Sequence, residues 1–302
     1  MRFGVCGTAF WAENVHIPGL KANPEIDLVG VWGRTPERTA ALSAATGIQP
    51  FSSFDEMLDA VEAVSFVVPP AVQSELALRA VDAGRHVLLE KPIAADLEKA
   101  KALVEAIRSK GVTGLCFLTR MFVPEVEIFI DQARSIGPAS GEASFRSDAL
   151  LGGPYAGSAW RQAKHGALWD AAPHGMSVLA SVLGPVAEVA AEVATDGAYR
   201  LTFHHAGGVR STLELNLRDS TVKLAERYRF ENGRTAELPG LSYNRKETFT
   251  RASGILLQAI RGDAREAQTR LGLGLHMVAV AAAAEASLGN GGSRCKVAST
   301  DA

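Results

Sequence analysis

Five short apolar runs in the first 118 residues limit the possible folds more than any other feature: "RFGVC", "IDLVGVW", "AVSFVV", "HVLLE" and "VTGLCFL". Helical patterns separate them, among them "PERTAALSAATG", "AVQSELALRAVDAG" and "DLEKAKALVEAIRSKG". Near-continuous apolar strands alternating with amphipathic helices predict a parallel sheet covered on both faces. Local chemistry agrees. Pro36 stands where a first helical turn tolerates proline, and Gly47, Gly84 and Gly111 stand where helices stop. Asp96 is placed to cap the helix that follows it. The stretch "FWAENVHIPGLKA" reads as a loop entering a helix.

The texture changes near residue 120. "MFVPEVEIFIDQARSIG" still reads as a helix, but "ASGEASFRSD", "VAEVAAEVA", "AYRLTFHH", "GVRSTLELNL" and "AERYRFENG" read as antiparallel strands. In "HHAGGVR", Gly207 and Gly208 are expected to supply positive φ for a hairpin turn, which places His204 and His205 at a solvated end. Helices return in "ETFTRASGILLQAIRG" and "AQTRLGLGLHMVAVAAAAEASLG". The expected organisation is a doubly wound α/β domain over residues 1–119 and a second α/β domain over 120–302, with late helices packing back on the first.

Composition excludes several classes. Hydrophobic residues make up 47% and charged residues 21%, a globular balance too apolar for a disordered chain. The net charge of −2, with no basic block, argues against a nucleic-acid partner. Cys6, Cys116 and Cys295 have no metal or redox spacing, which suits a reducing cytoplasm. "MRFGVCG" runs straight into a strand pattern, without the features of a signal peptide. "HMVAVAAAAEASLG" is too short to span a bilayer and reads as a buried helix, so no membrane partner is expected.

The first strand runs into "GVCGTAFWAENVHIPGL". Aligned on the dinucleotide fingerprint G-x-G-x-x-G/A, the chain offers Gly7, Ala9 and Ala12, with Thr8 between the first two. Ala9 departs from glycine and is tolerable only if its φ stays negative. At the end of the second strand, "VWGRTPER" has Gly33 where an acidic residue would hold a ribose 2′-hydroxyl. Arg34 and Arg38 suit a 2′-phosphate instead, so NADP is favoured and NAD remains possible. The alternative is two solvated cations at a helix start, an uncomfortable place for them. Lys91, at the tip of "HVLLEKP", sits where open parallel sheets bind ligands.

With "GTAFWA", "VVPP", "HVLLEKP" and "WDAAPH" in view, the sequence resembles the Gfo/Idh/MocA family of oxidoreductases, named for glucose–fructose oxidoreductase, inositol dehydrogenase and a rhizopine-catabolism protein. The resemblance implies a Rossmann domain followed by an α/β domain with a large open, mostly antiparallel sheet that pairs copies into a homodimer or homotetramer. It implies hydride transfer between a nicotinamide cofactor and a sugar, cyclitol or related polyol. Catalysis falls to Lys91, Asp170 and His174: Lys91 at the reacting hydroxyl, His174 as proton carrier, and Asp170 as substrate ligand. Glu90 and Pro92 shape the loop around Lys91. Cofactor contacts are expected from Gly7, Thr8, Ala9, Phe10, Trp11, Arg34, Arg38, Pro69, Pro70, Gln73, Glu90, Lys91, Arg120, Trp160 and Arg161. Gln73 stands near where relatives carry a histidine, and Thr119 replaces an asparagine before Arg120.

Asp170 and His174, four residues apart on an expected helix, also have metal-ligand spacing, with His165 as the one candidate for a third ligand; no metal is expected. Phe10 and Trp11 can wall a cofactor crevice or be core. Two other functions stay open: an enzyme that recycles bound NAD while cleaving a glycosidic bond, and a non-catalytic dinucleotide sensor.

Overall fold

A computed structural model describes residues 1–300 of the chain. Residues 1–122 group with 244–275, and residues 123–243 group with 276–300. The first unit begins with β1 (Arg2–Cys6), a π-helical turn (Ala12–His16) and α1 (Ile17–Lys21). It continues through β2 (Asp27–Trp32), α2 (Pro36–Thr46), β3 (Gln49–Pro50) and α3 (Phe54–Ala60). Next come β4 (Ala63–Phe66), α4 (Pro70–Asp82), β5 (His86–Glu90), α5 (Leu97–Ser109) and β6 (Gly114–Phe117). The six strands pair in parallel in the order β3-β2-β1-β4-β5-β6. That order reverses between β1 and β4, the switch point where such sheets bind ligands beyond their carboxyl ends.

The second unit opens with α6 (Pro124–Ser135), β7 (Ser140–Ser147), α7 (Ala159–Gln162) and α8 (Gly166–Leu183). It adds β8 (Val186–Val193), β9 (Tyr199–His205), β10 (Arg210–Asn216), β11 (Leu224–Glu231) and β12 (Thr235–Leu238). Helix α9 (Arg245–Ile260) belongs to the first unit. Helix α10 (Arg265–Gly289) passes from the first grouping to the second, and β13 (Cys295–Lys296) ends the pattern. The seven-stranded sheet runs β12-β11-β7-β10-β9-β8-β13. Its pairs are antiparallel except β7 with β10, which are parallel. Helix α8 lies on β7 and β10, and Gly175 makes the approach possible: a Cβ there would stand 2.7 Å from Leu213 Cδ1.

The sheet's other face is charged. Register aligns Glu192, Arg200, Glu214, Ser144 and Arg227 across five neighbouring strands. Arg146 bonds both Glu214 (2.8 Å) and Asp219 (2.6 Å) beside this row. Helix α10 is long and apolar enough to cross a bilayer, yet 67% of its most apolar window is buried.

Several local expectations hold in detail. Asp96 accepts the Lys99 N–H at 2.8 Å, and Gly47, Gly84 and Gly111 take positive φ. Others need correction. The edge strand β3 and helix α3 are not apparent from apolar runs, because one is two residues long and the other is a short capped turn. Ser53 starts that turn by accepting the Glu56 N–H at 3.1 Å.

Of the two hairpin glycines, only Gly208 has positive φ, at 83°. His205 does not sit in solvent. It is 3% exposed, with Nδ1 donating to the Gly184 carbonyl (2.7 Å) and Nε2 taking the Ser211 hydroxyl (2.7 Å). Alternation along β9 turns it inward with Leu201 and Phe203. Desolvation lowers its pKa, while the Gly184 carbonyl works in the opposite direction. The folded chain therefore favours neutral His205, and the unfolded chain takes up the proton first as pH falls below about 6.5. The contribution is present above that pH and is lost below it. The thermal midpoint of the wild type is expected to fall between pH 7 and pH 5 more steeply than that of His205→Gln; parallel pH profiles would refute this.

Candidate active site

Cys6 ends β1, and Gly7 turns the chain at φ 130°. A Cβ on Gly7 would lie 2.4 Å from the Val67 carbonyl oxygen, so only glycine lets the ends of β1 and β4 approach this closely. Gly7→Ala is expected to cost about 1–3 kcal/mol in backbone strain alone, read as a lower denaturant midpoint at unchanged slope. Ala9 meets its condition, since His165 is the one non-glycine residue with positive φ among the described residues. The helical stretch starts at Phe10, and the Ala9 carbonyl accepts from Ala12 (2.9 Å) and Glu13 (3.3 Å). Small residues before a helix start suit the pyrophosphate of a dinucleotide. Phe10 is 36% exposed, and Arg245 lies 5.5 Å above the Trp11 ring.

Thr8 explains Gly33. A Cβ at position 33 would stand 2.6 Å from Thr8 Cγ2, so an acidic side chain there would have to displace Thr8. Arg34 and Arg38 follow at the exposed start of α2. Neither guanidinium has a hydrogen bond or ion pair among the described residues, although other surface arginines such as Arg79 and Arg108 are paired.

The Glu90–Lys91–Pro92 loop is held tightly at the carboxyl end of β5, with a cis peptide between Lys91 and Pro92. Gln73, fully buried on α4, does most of the holding. Its Nε2 faces the carbonyls of Glu90 (2.7 Å), Pro92 (3.1 Å) and Ile93 (3.3 Å), and its Oε1 accepts the Glu90 N–H (3.0 Å). Both ends of the amide are thus engaged with loop backbone. Glu90 Oε2 accepts the Lys91 N–H at 3.1 Å, and Oε1 faces His16 Nε2 at 3.2 Å. Pro69 is exposed and Pro70 buried at the start of α4. Arg120, 4% exposed, lies in the 3₁₀ turn Thr119–Phe122 that follows β6.

In the second unit, Arg161 and Asp170 find each other. Arg161 Nε donates to Asp170 Oδ2 at 2.9 Å, and the guanidinium lies between the rings of Trp160 (4.4 Å) and Tyr155 (4.8 Å). Gly166 permits this. A Cβ there would be 2.4 Å from the carbonyls of both Trp160 and Arg161, so α8 could not start against α7 with any larger residue. His174, one helical turn from Asp170, is 8% exposed and stacks on Phe145 at 5.8 Å. Its carbonyl accepts from Ser177 Oγ at 2.9 Å. His165 takes φ 62° and places Nδ1 3.2 Å from the Tyr199 hydroxyl. No group of three metal-ligating side chains occurs among the described residues.

The candidate residues thus fall into three clusters: Gly7, Thr8 and Gly33; Gln73, Glu90 and Lys91; Trp160, Arg161 and Asp170. Three further residues join them that the motifs do not mark: Tyr155, which stacks on Arg161, and the buried pair His16 and Ser65 behind Glu90. One signal was available: Ser65 interrupts the otherwise apolar "AVSFVV".

A parallel six-stranded sheet ordered 3-2-1-4-5-6 with a glycine turn after its first strand defines the dinucleotide-binding class. Residues 1–117 match the oxidoreductase family with an NAD-binding Rossmann fold, Gfo/Idh/MocA. Over those residues the chain is similar to that family. An uncharacterised oxidoreductase of Rhizobium meliloti is 35% identical over 108 residues, covering 35% of this chain and 32% of the relative. A galactose 1-dehydrogenase of Pseudomonas fluorescens is 31% identical over 119 residues, covering 38% and 37%. The chain thus spans about a third of the length of these relatives. Levoglucosan dehydrogenase in complex with NADH and levoglucosan superposes with a TM-score of 0.84 at 17% identity, over 99% of both chains, a likeness of fold.

Proposed function

We propose that this chain is an NAD(P)-dependent oxidoreductase acting on a hydroxyl or carbonyl carbon of a sugar, cyclitol or related polyol. The grip of Gln73 and Glu90 on the Lys91 loop carries the reading. A loop end with this many hydrogen bonds presents its side chain in a fixed place, which catalysis needs and solubility does not. NADP is favoured over NAD because Arg34 and Arg38 are uncommitted and an acid at position 33 would have to displace Thr8.

When bound, a nicotinamide cofactor accepts or gives the hydride. The protein's share is electrostatic and protonic. The Lys91 ammonium stabilises the oxygen of the reacting carbon as negative charge develops there. His174 takes the hydroxyl proton or returns it. Asp170, held by Arg161, binds substrate hydroxyls while its charge is balanced. Gly7, Thr8 and Ala9 receive the pyrophosphate, and residues 1–119 act as the cofactor domain. The three free thiols suit a cytoplasmic setting.

The test is turnover of NADP and NAD with D-galactose, levoglucosan and myo-inositol, followed by absorbance of the reduced nicotinamide. Reduction of NADP with at least one of them supports the reading. Tight retention of unreduced NAD through purification, with hydrolysis of a glycoside and no net reduction, would replace it. We also propose twofold pairing through the open sheet. Its charged rows make such an interface salt-sensitive, so light scattering is expected to show a dimer that weakens as ionic strength rises. A monomer at low salt would count against it.

A further inference from the structure

We propose that His16 is a positioning residue for Lys91, acting through the Glu90 carboxylate. The inference rests on the reading of Lys91 given above. His16 is 0% exposed, and its ring packs against Phe249 (4.0 Å between centroids) and, edge-on, Phe117 (6.4 Å). Each ring nitrogen has one polar partner: Nδ1 faces Ser65 Oγ at 2.9 Å, and Nε2 faces Glu90 Oε1 at 3.2 Å. An ionised carboxylate only accepts, so Nε2 carries a proton toward Glu90. With the ring neutral, the Ser65 hydroxyl donates to Nδ1. Ser65, itself fully buried in β4, thereby fixes the tilt of the ring.

The other oxygen of Glu90 accepts the Lys91 N–H. One carboxylate therefore spans the imidazole and the main chain of Lys91. Gln73 grips the same loop through the Glu90 N–H and three carbonyls. The loop is held by α4 on one count and by the helix after the phosphate loop on the other. The second hold depends on the π-helical turn Ala12–His16, which closes from Ile17 N–H to the Ala12 carbonyl. Such turns are frequent at functional sites. Here the turn ends on His16, whose side chain joins the phosphate-loop helix to the Lys91 loop.

Packing alone does not explain a histidine at this position. A leucine would fill the space between Phe117 and Phe249 without burying two ring nitrogens, and buried polar groups are costly unless matched. The nitrogens are matched, and what they hold is Glu90.

The experiment measures hydrogen exchange of the Lys91 amide in the full chain, with the amides of β6 as an internal control. His16→Leu keeps the packing and removes both nitrogens; His16→Gln restores a donor able to reach Glu90. Exchange at Lys91 is expected to rise roughly tenfold or more in His16→Leu, with β6 unchanged and protection regained in His16→Gln. Turnover of NADP, expressed per NADP-binding site, is expected to fall at least about tenfold in His16→Leu with KM for NADP nearly constant, and to recover in His16→Gln. Unchanged exchange at Lys91, an equal rise across β6, or faster exchange with full turnover per site would each overturn the proposal. Should the wild type turn over none of the three polyols above, the exchange arm alone decides. Full turnover in Lys91→Ala would instead overturn the reading of Lys91, whatever the exchange shows.

Discussion

His174→Asn is expected to lower kcat by about 10²–10⁴-fold while the chain still binds NADP, the usual contribution of a general acid–base, which is the role proposed for His174. Asparagine keeps a hydrogen-bonding shape on α8 but cannot titrate, so the pH dependence of kcat/KM loses one inflection. Lys91→Ala costs a similar factor. Part of that loss falls on substrate binding, because a cation near the oxygen acts on ground state and transition state alike. Under the proposed roles, which assign both groups to one proton transfer, the double variant is expected to lose much less than the product of the two. Steady-state kinetics on whichever polyol the wild type accepts, with NADP titrated separately, provides the measurement. Near-wild-type turnover in either single variant would refute the assigned roles. His174 stacks on Phe145 and is largely buried, so thermal melts of each variant must accompany the kinetics.

Arg34→Ala is expected to weaken NADP by about ten- to hundredfold and NAD by far less, the loss of the one charge-assisted hydrogen bond proposed for it. The exposed guanidinium and the absence of a protein partner among the described residues make this variant clean: no internal ion pair is broken. Fluorescence titration of the two reduced cofactors measures the ratio directly. Equal losses, or a wild-type preference for NAD, would remove the argument for NADP. The companion change Gly33→Asp is not a route to NAD specificity, because its Cβ would meet Thr8. Thr8→Gly together with Gly33→Asp removes the nearest obstacle, leaving Thr39 Oγ1 at 3.1 Å to give slightly, and that pair is the variant expected to shift preference toward NAD.

Much of the fold could be read without coordinates. The five apolar runs became β1, β2, β4, β5 and β6, because a strand buried on both faces needs little beyond its own composition to announce itself. Helix ends were equally local: Asp96 caps within three residues, and Gly47, Gly84 and Gly111 stop their helices through their own φ. The same locality made "HHAGGVR" misleading. Nothing within the hairpin reports that the Gly184 carbonyl, at the end of α8, lies against the inward face of β9.

Candidate site residues divide along the same line. Their presence, in "GTAFWA", "HVLLEKP" and "WDAAPH", was determined by the sequence. Their partners were decided only by the tertiary structure. Gln73 reaches a loop 17 residues away, and His16 reaches a carboxylate 74 residues away. Arg161 meets Asp170 across a helix start that Gly166 alone permits. Period, caps and turns follow from torsions and apolar spacing within a few residues. The choice of a hydrogen-bond partner follows from which backbones the whole chain brings within about 3 Å of one another.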